Sequence, residues 1–341
     1  MAKHTISDLY QMQAMPLNIK IRMTENRIRG WIDEYGEDGV YVSFSGGKDS
    51  TVLLDMVRKL YPDVLAVFVD TGLEYPEIRE FVKTFDNVEW LKPKKTFRQV
   101  IEKFGYPFVS KEVSGKVYEA LSKPDGYAAT QCFDPNSDKI KRYGKRYDYS
   151  KWSFFFEAPF KISSNCCNIM KKAPVKSFEK KTGKYGMTAQ MASESSVRTR
   201  QWLEYGCNGF EKKRPISNPM SFWTEQDVLL YIKTHDLPIC SVYGEIVEVE
   251  GKSVNVKDDD LKELFDLDRP FLKTTGCDRT GCMFCGYGCH LEKPGEGRFL
   301  KMKETHPKQY DYIMRSADKG GLNYKEVIDW INEHGGFNIE Y

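Results

Sequence analysis

A chain of 341 residues, 40% hydrophobic and 29% charged, can bury one large α/β core beside a smaller one. Its net charge of +2 excludes a molecule-wide field for nucleic acid or membrane and leaves room only for a local patch. No apolar run reaches the roughly 18 residues of a membrane helix, and Met1-Ala2-Lys3-His4-Thr5 lacks an apolar signal core. A cytoplasmic location is therefore expected, with no membrane partner. There, nine cysteines, an odd number, read as reduced thiols, metal ligands or redox groups rather than a disulfide frame.

Three parts are expected: a helical segment over 1–38, a nucleotide-binding α/β domain over 39–237, and a C-terminal region over 238–341 with a cysteine cluster and terminal helices. In the first, Ile19, Ile21, Ile28 and Trp31-Ile32 form an apolar stripe at helical spacing. It suits core packing or a dimer contact equally, so an oligomer is possible.

Tyr41-Val42-Ser43-Phe44 is an apolar strand, Ser45-Gly46-Gly47 a tight turn, and Lys48-Asp49-Ser50-Thr51 the start of a helix running on through Val52-Leu53-Leu54. A helix N-terminus offers unpaired N–H groups and about half a positive charge, hence an anion site. Glycine without Cβ lets the backbone approach a phosphate. Lys48 adds a point charge, and Asp49 sits where magnesium would need an oxygen ligand. The glycine spacing is too short for Gly-x-x-x-x-Gly-Lys-Ser/Thr. Ser45-Gly46-Gly47-Lys48-Asp49-Ser50 resembles the PP-loop of the ATP pyrophosphatases. That resemblance implies ATP and Mg²⁺ binding, with cleavage to AMP and pyrophosphate and catalytic roles for Lys48 and Asp49.

Val64–Asp70 is a continuous apolar run ending in a carboxylate, as in a strand buried on both faces. Asp70-Thr71-Gly72 then lie beyond the strand's carboxyl end, where ligands bind in doubly wound sheets. Asp-Thr-Gly-x-Glu-Tyr-Pro-Glu is similar to the second motif of the phosphoadenosine phosphosulfate (PAPS) reductases; Asp70 also reads as a helix cap. Val88–Lys92 is a third strand, Thr96–Ile101 a helix start, and Gly105-Tyr106-Pro107-Phe108 a loop over the nucleotide face. Alternating βα units predict a parallel sheet with right-handed crossovers.

Residues 139–152, from Lys139-Ile140-Lys141-Arg142-Tyr143 to Lys151-Trp152, interleave cations with aromatics. The mixture suits phosphate contacts and base stacking, with tRNA or DNA as partner; a solvated lid is the plainer reading. Cys166-Cys167, followed by Lys171-Lys172-Ala173-Pro174, resembles the Cys-Cys motif of the sulfonucleotide reductases. In the adenosine phosphosulfate (APS) branch such a pair ligates an iron–sulfur cluster; the alternative is two small buried residues at a helix start.

Tyr185–Met191 is another strand, and Ser193 the expected cap of the next helix. Glu194-Ser195-x-x-Arg198 is similar to the substrate end of the PAPS reductase sheet. Arg198 can pair bidentately with phosphate or sulfate, or make a surface salt bridge. Arg214–Met220 is a loop. Trp223–Ile232 is a helix with Thr224 as cap and Asp227 as its capping-box partner, again similar to this family. Gly244–Gly251 with Ser253–Val256 reads as a hairpin, and an Asn323-capped helix ends at Gly335-Gly336.

Cys277, Cys282, Cys285 and Cys289 fall in one loop as Cys-x4-Cys-x2-Cys-x3-Cys, with Gly281, Gly286 and Gly288 between. The spacing is near the single-run ferredoxin pattern and favours a [4Fe–4S] cluster. A structural zinc more often joins two separated Cys-x2-Cys pairs; unligated thiols are the third reading. Cys166 or Cys167 could replace Cys277, as the reductase resemblance implies. Cys132, Cys207 and Cys240 are isolated, and His290 reads as a neighbour rather than a ligand.

The resemblance runs from about residue 40 to 290. It implies an α/β, doubly wound parallel sheet of the adenine nucleotide alpha hydrolase type, Rossmann-like, with a small cysteine-cluster region. PAPS reductases carry a nucleophilic cysteine in a C-terminal Glu-Cys-Gly-x-His tail and a degenerate PP-loop. Here no cysteine follows Cys289 and the loop is intact. The expected function is therefore an ATP pyrophosphatase that adenylylates an acceptor, nucleic acid or small molecule, for sulfur transfer. It would depend on an iron–sulfur cluster and on a sulfur donor such as a cysteine desulfurase. The alternatives are a PAPS or APS reductase and a non-catalytic nucleic-acid-binding iron–sulfur module.

Overall fold

The computed structural model describes residues 3–253 and 270–341. The strands, in chain order, are β1 (Val40–Ser43), β2 (Ala66–Val69), β3 (Val88–Leu91), β4 (Phe108–Val109) and β5 (Tyr185–Met187). They continue with β6 (Asn208–Gly209), β7 (Ile216–Ser217), β8 (Ile246–Ser253), β9 (Pro270–Thr274) and β10 (Gly286–Tyr287). Two compact units account for the chain. One comprises Met1–Asp70, Glu74–Leu91 and Val175–Thr280; the other comprises Thr71–Leu73, Lys92–Pro174 and Gly281–Tyr341.

The first unit holds a sheet in the order β3-β2-β1-β5-β7-β6. Every pairing is parallel except β6 with β7. Val42 lies opposite Ala66, and Val40 opposite Tyr185. Val40, Tyr41 and Val42 are all at most 1% exposed, as a central parallel strand between helical layers must be. The core joins Val52, Leu53 and Val57 of helix Lys48–Leu60 to Ile28 and Trp31 of helix Leu17–Tyr35 and to Trp223 and Val228. The N-terminal apolar stripe thus packs into this core. Chain order reverses at β1, which has β2 on one side and β5 on the other. In doubly wound sheets ligands bind at such a switch point, beyond the carboxyl ends of the strands, and the glycine loop begins at that end of β1. This is the α/β, mostly parallel architecture expected.

Helix Glu225–Thr234 starts in the predicted capping box, with Thr224 and Asp227 each accepting the other's backbone N–H. Asp227 also receives Lys20 Nζ at 2.6 Å, with both side chains fully buried. The pair ties the N-terminal helix to the unit's far end in sequence.

Five local expectations need correction. The strand from Tyr185 stops at Met187, and the helix beyond it is capped by Ser195, whose Oγ accepts the Arg198 N–H at 3.3 Å. Ser193 is held instead in a 3₁₀ turn. The stretch Arg214–Met220 is no plain loop: Ile216–Ser217 joins the sheet as β7. Phe108–Val109 is likewise a strand, paired in parallel with Gly286–Tyr287. Gly251 does not turn a hairpin; β8 runs through it to Ser253 and pairs antiparallel with β9. Residues 254–256 lie outside the described residues. Finally, Asn323 precedes helix Tyr324–Gly335 in a left-handed conformation, but its amide donates to Glu326 at 2.7 Å rather than capping.

In the second unit, β4 and β10 sit over an aromatic core. Phe108 meets Tyr324 at 5.2 Å between ring centroids, and the fully buried Tyr324 hydroxyl donates to the Phe284 carbonyl at 2.5 Å. Among the described residues no helix is long and apolar enough to cross a membrane.

Candidate nucleotide and thiol sites

The loop between β1 and helix Lys48–Leu60 is braced by its own serines. The Ser45 N–H donates to Ser50 Oγ at 3.1 Å, and the Ser50 hydroxyl donates to the Gly47 carbonyl at 2.9 Å. Gly46 has φ 70°, and a Cβ there would stand 2.8 Å from Val82 Cγ2. Both the turn and the packing therefore demand glycine. No side chain caps the helix at Gly47. The Lys48 N–H donates to the Tyr243 hydroxyl at 3.2 Å, and that hydroxyl lies 2.6 Å from Thr280 Oγ1. Lys48 is 3% exposed. Its ammonium reaches Glu225 at 2.8 Å and the Asp278 carbonyl, and stands 5.3 Å from the centre of the Tyr243 ring.

Asp49 is the unusual member. Its Oδ1 is buried, and among the described residues no donor reaches it. Burial raises its pKa, and the Lys48 charge pulls it back down. Glu225 raises it further, while Arg279 and Arg198 lower it. A buried carboxylate oxygen left without a hydrogen bond costs free energy unless something fills the position. A hard divalent cation is the natural occupant, and Asp49 fits it.

Glu194 accepts the Met191 N–H at 2.9 Å, pairs with Arg198 and lies 3.9 Å from Arg279. Arg198 therefore forms the ion pair of its plainer reading, while its charge still bears on Asp49. Asp70, at the end of β2, is 8% exposed and pairs with Arg79 at 3.0 Å. Thr71 and Gly72 belong to the second unit. There Thr71 Oγ1 accepts the Leu73 N–H at 3.2 Å, and Gly72 is left-handed at φ 72°. Sequence reasoning missed Glu225, Tyr243, Arg279 and Thr280. They lie 175 residues or more beyond the loop, and no local pattern marks them as its neighbours.

Chemically, the first unit sets a glycine-turned helix N-terminus, the cations Lys48, Arg198 and Arg279, and the carboxylate of Asp49 within one electrostatic neighbourhood. Such a set binds a polyanion and can stabilise charge on a departing phosphate group.

Of the predicted thiols, Cys277 belongs to the first unit, 3.9 Å from the Tyr75 hydroxyl. Cys282, Cys285, Cys289, Cys166 and Cys167 belong to the second. Burial pushes the Cys166 thiol far up, and the charges of Cys282, Cys167 and Cys285 push it further. Cys285 is raised by burial and by Cys167, and is lowered by the Tyr287 N–H and the Arg298 charge. Cys166, Cys167, Cys282 and Cys285 thus share one neighbourhood, though 115 residues separate Cys167 from Cys282. Cys289, pushed up to about 12 by burial, donates to the Gly286 carbonyl at 2.9 Å. His290 packs edge-on to Trp152 at 5.7 Å. Cys132, Cys207 and Cys240 are buried.

Among the described residues no three His, Cys, Asp or Glu side chains are gathered as a single metal ion requires. An iron–sulfur cluster places its own atoms between the cysteines. An all-thiol set with an N–H aimed at sulfur fits that group in donor chemistry.

Similarity to known proteins bears on both sites. The family profile described as phosphoadenosine phosphosulfate reductase domain matches residues 39–287. An APS reductase of Geobacillus thermodenitrificans is 26% identical over 223 residues, 63% of this chain and 74% of that protein. A PAPS reductase of Xylella fastidiosa is 24% identical over 232 residues, 67% of this chain and 77% of that protein. An uncharacterized protein of Methanocaldococcus jannaschii is 23% identical over 295 residues, 85% of this chain. The chain spans about half (50%) of that archaeal protein's length. A solved PAPS reductase from Candida auris, in complex with phosphate, aligns at TM-score 0.37 and 17% identity, covering 64% of this chain and 82% of that one. The profile match takes in the glycine loop, the Cys166-Cys167 pair and the Cys282–Cys285 run, and the chain belongs to the phosphoadenosine phosphosulfate reductase domain family, a family of enzymes.

Proposed function

We propose that this chain is an ATP pyrophosphatase that adenylylates an acceptor for sulfur transfer. The observation that carries the reading is the intact loop: a buried ammonium at Lys48, and beside it the Asp49 carboxylate with an unengaged oxygen. The ammonium would serve any polyanionic nucleotide; the unengaged carboxylate oxygen is what metal-assisted loss of pyrophosphate would use.

In the first step an acceptor oxygen attacks the α-phosphorus of ATP, the bond to the bridging α–β oxygen breaks, and pyrophosphate leaves. Loop amides and Lys48 bind the β- and γ-phosphates and stabilise the departing charge. Arg198 and Arg279 add positive charge that is felt at Asp49. Magnesium held by Asp49 would supply further charge neutralisation on the polyphosphate. In the second step sulfur at the sulfide level, from a persulfide or sulfide donor, attacks the activated centre. AMP leaves with the acceptor oxygen, and no net oxidation of the acceptor occurs. A persulfide donor needs a thiol to release its sulfur at that level. Cys166, Cys167, Cys282 and Cys285 would hold the iron–sulfur cluster, which supplies a site for sulfur. Cys277 and Cys289 remain the alternative ligands.

Sulfonucleotide reduction is the second reading, and the names of the relatives favour it. Anaerobically purified protein supplied with ATP, APS and PAPS in parallel separates the two. Adenylylation turns ATP into pyrophosphate and an adenylylated acceptor, which yields AMP when sulfur or water displaces it. Reduction gives sulfite from a sulfonucleotide with a thiol donor and leaves ATP intact.

A further inference from the structure

We propose that Tyr127 and residues 139–152 of the second unit form a binding surface for single-stranded nucleic acid. Residues 139–152 hold six cations (Lys139, Lys141, Arg142, Lys145, Arg146, Lys151) against one acid, Asp148. The segment is therefore +5 in a chain whose total is +2. Its fold turns the charge outward. Helix Asp138–Tyr143 is capped by Ser137, buries Ile140 and ends at Gly144 with φ 85°. Trp152, 6% exposed, anchors the far end. Between these anchors Lys141, Arg142, Tyr143, Lys145 and Arg146 are exposed.

A merely solvated face on a near-neutral protein distributes its cations among carboxylates. Here, among the described residues, none of the six cations has a carboxylate within ion-pair distance. Four of them, Lys139, Arg142, Arg146 and Lys151, stand over rings instead. The Lys139 ammonium is 4.8 Å from the Tyr127 ring centre and 4.9 Å from that of Tyr147. Arg142 is 5.4 Å from the Tyr143 ring centre, and Arg146 is 5.1 Å from that of Tyr147. Tyr127 and Tyr143 remain 55% and 58% exposed, though large aromatics gain free energy by burial. A groove of about 410 Å³ in the same segment is lined by Lys145, Arg146, Lys151 and Trp152, with the carboxylates of Glu112 and Asp148 also in its wall.

Unpaired cations alternating with exposed rings match a strand that offers both phosphates and open base faces. A duplex hides those faces; a lipid surface or acidic peptide has none. A bound strand would be a candidate acceptor for the chemistry proposed above, and only this link to the acceptor rests on the ATP pyrophosphatase reading.

The experiment is fluorescence anisotropy of full-length protein with labelled 20-nucleotide RNA and DNA single strands, without ATP. If all six cations meet phosphates, the slope of log K against log salt is about −4, or roughly a 300-fold loss between 50 and 200 mM. The combined variant Lys141→Ala, Arg142→Ala, Lys145→Ala, Arg146→Ala brings the slope to about −1.4. Tyr143→Ala weakens a base-bearing strand roughly tenfold and leaves an abasic strand unchanged. The paired variant Lys141→Gln, Lys145→Gln reads the slope if the larger set misfolds. The proposal is overturned by wild-type affinity in the charge variants, by equal loss on abasic and base-bearing strands with Tyr143→Ala, or by phosphatidylserine vesicles or duplex binding as tightly as single strands. AMP formation by the same variants is measured separately. Lost strand binding with intact ATP cleavage confirms the surface and spares the enzyme reading. Intact strand binding with no ATP cleavage sinks only that reading.

Discussion

The glycine loop and the thiol group are built in opposite ways. The loop is local: six consecutive residues turn the backbone, brace it and present amides, an ammonium and a carboxylate. The thiol group is assembled by tertiary structure from Cys166-Cys167 and the Cys282–Cys285 run, far apart in sequence. A contiguous site tolerates change elsewhere and fails abruptly at its own positions. An assembled site also fails when its scaffold shifts.

The largest effect should come from breaking the loop alone. Lys48→Ala is expected to lower AMP formation by about 10² to 10³, the scale of losing one transition-state charge partner, with iron and sulfide content unchanged. Iron falling with activity would show the two sites to be one. Cys282→Ser or Cys285→Ser should give the reverse: most of the iron and sulfide lost on anaerobic purification, with ATP binding by calorimetry retained. Cys277→Ser sharpens this, because retention of iron there assigns the ligands to the second unit.

The scaffolds differ next. Lys20→Met leaves Asp227 charged and buried without its cation, and should destabilise the first unit by about 3–5 kcal/mol in denaturant unfolding. Gly286→Ala puts a Cβ 2.5 Å from the Phe108 ring and should cost about 1–3 kcal/mol, with reduced iron loading and a normal loop. The smallest effect is Tyr243→Phe, which frees the Lys48 N–H for phosphate. It should lower the KM for ATP by up to about fivefold, the scale of a hydrogen bond worth ~1 kcal/mol.

Strand, glycine turn and helix were legible because each is specified by neighbours: β1 by its apolar run, the turn by Gly46, the helix by the apolar Val52-Leu53-Leu54 in its second turn. The Thr224–Asp227 box was legible for the same reason. What escaped was set by distance. The strands β6 and β7 are two residues each, too short for any periodicity to mark. Ser195 displaced Ser193 as cap because a 3₁₀ turn consumes Ala192–Glu194 first. Glu225 and Tyr243 reach Lys48 only through the packing of helix and loop. The Cys166-Cys167 pair could be named as possible ligands, but only the fold sets them beside Cys282 and Cys285.

The central claim is that the loop cleaves ATP between its α- and β-phosphates. The direct measurement is the pyrophosphate released and the AMP formed, counted both free and as acceptor adenylate, per ATP consumed by anaerobically purified protein, with Asp49→Asn alongside. Equal amounts of both products, abolished in Asp49→Asn while iron content stays constant, are predicted. ATP left intact while APS or PAPS yields sulfite would contradict the account.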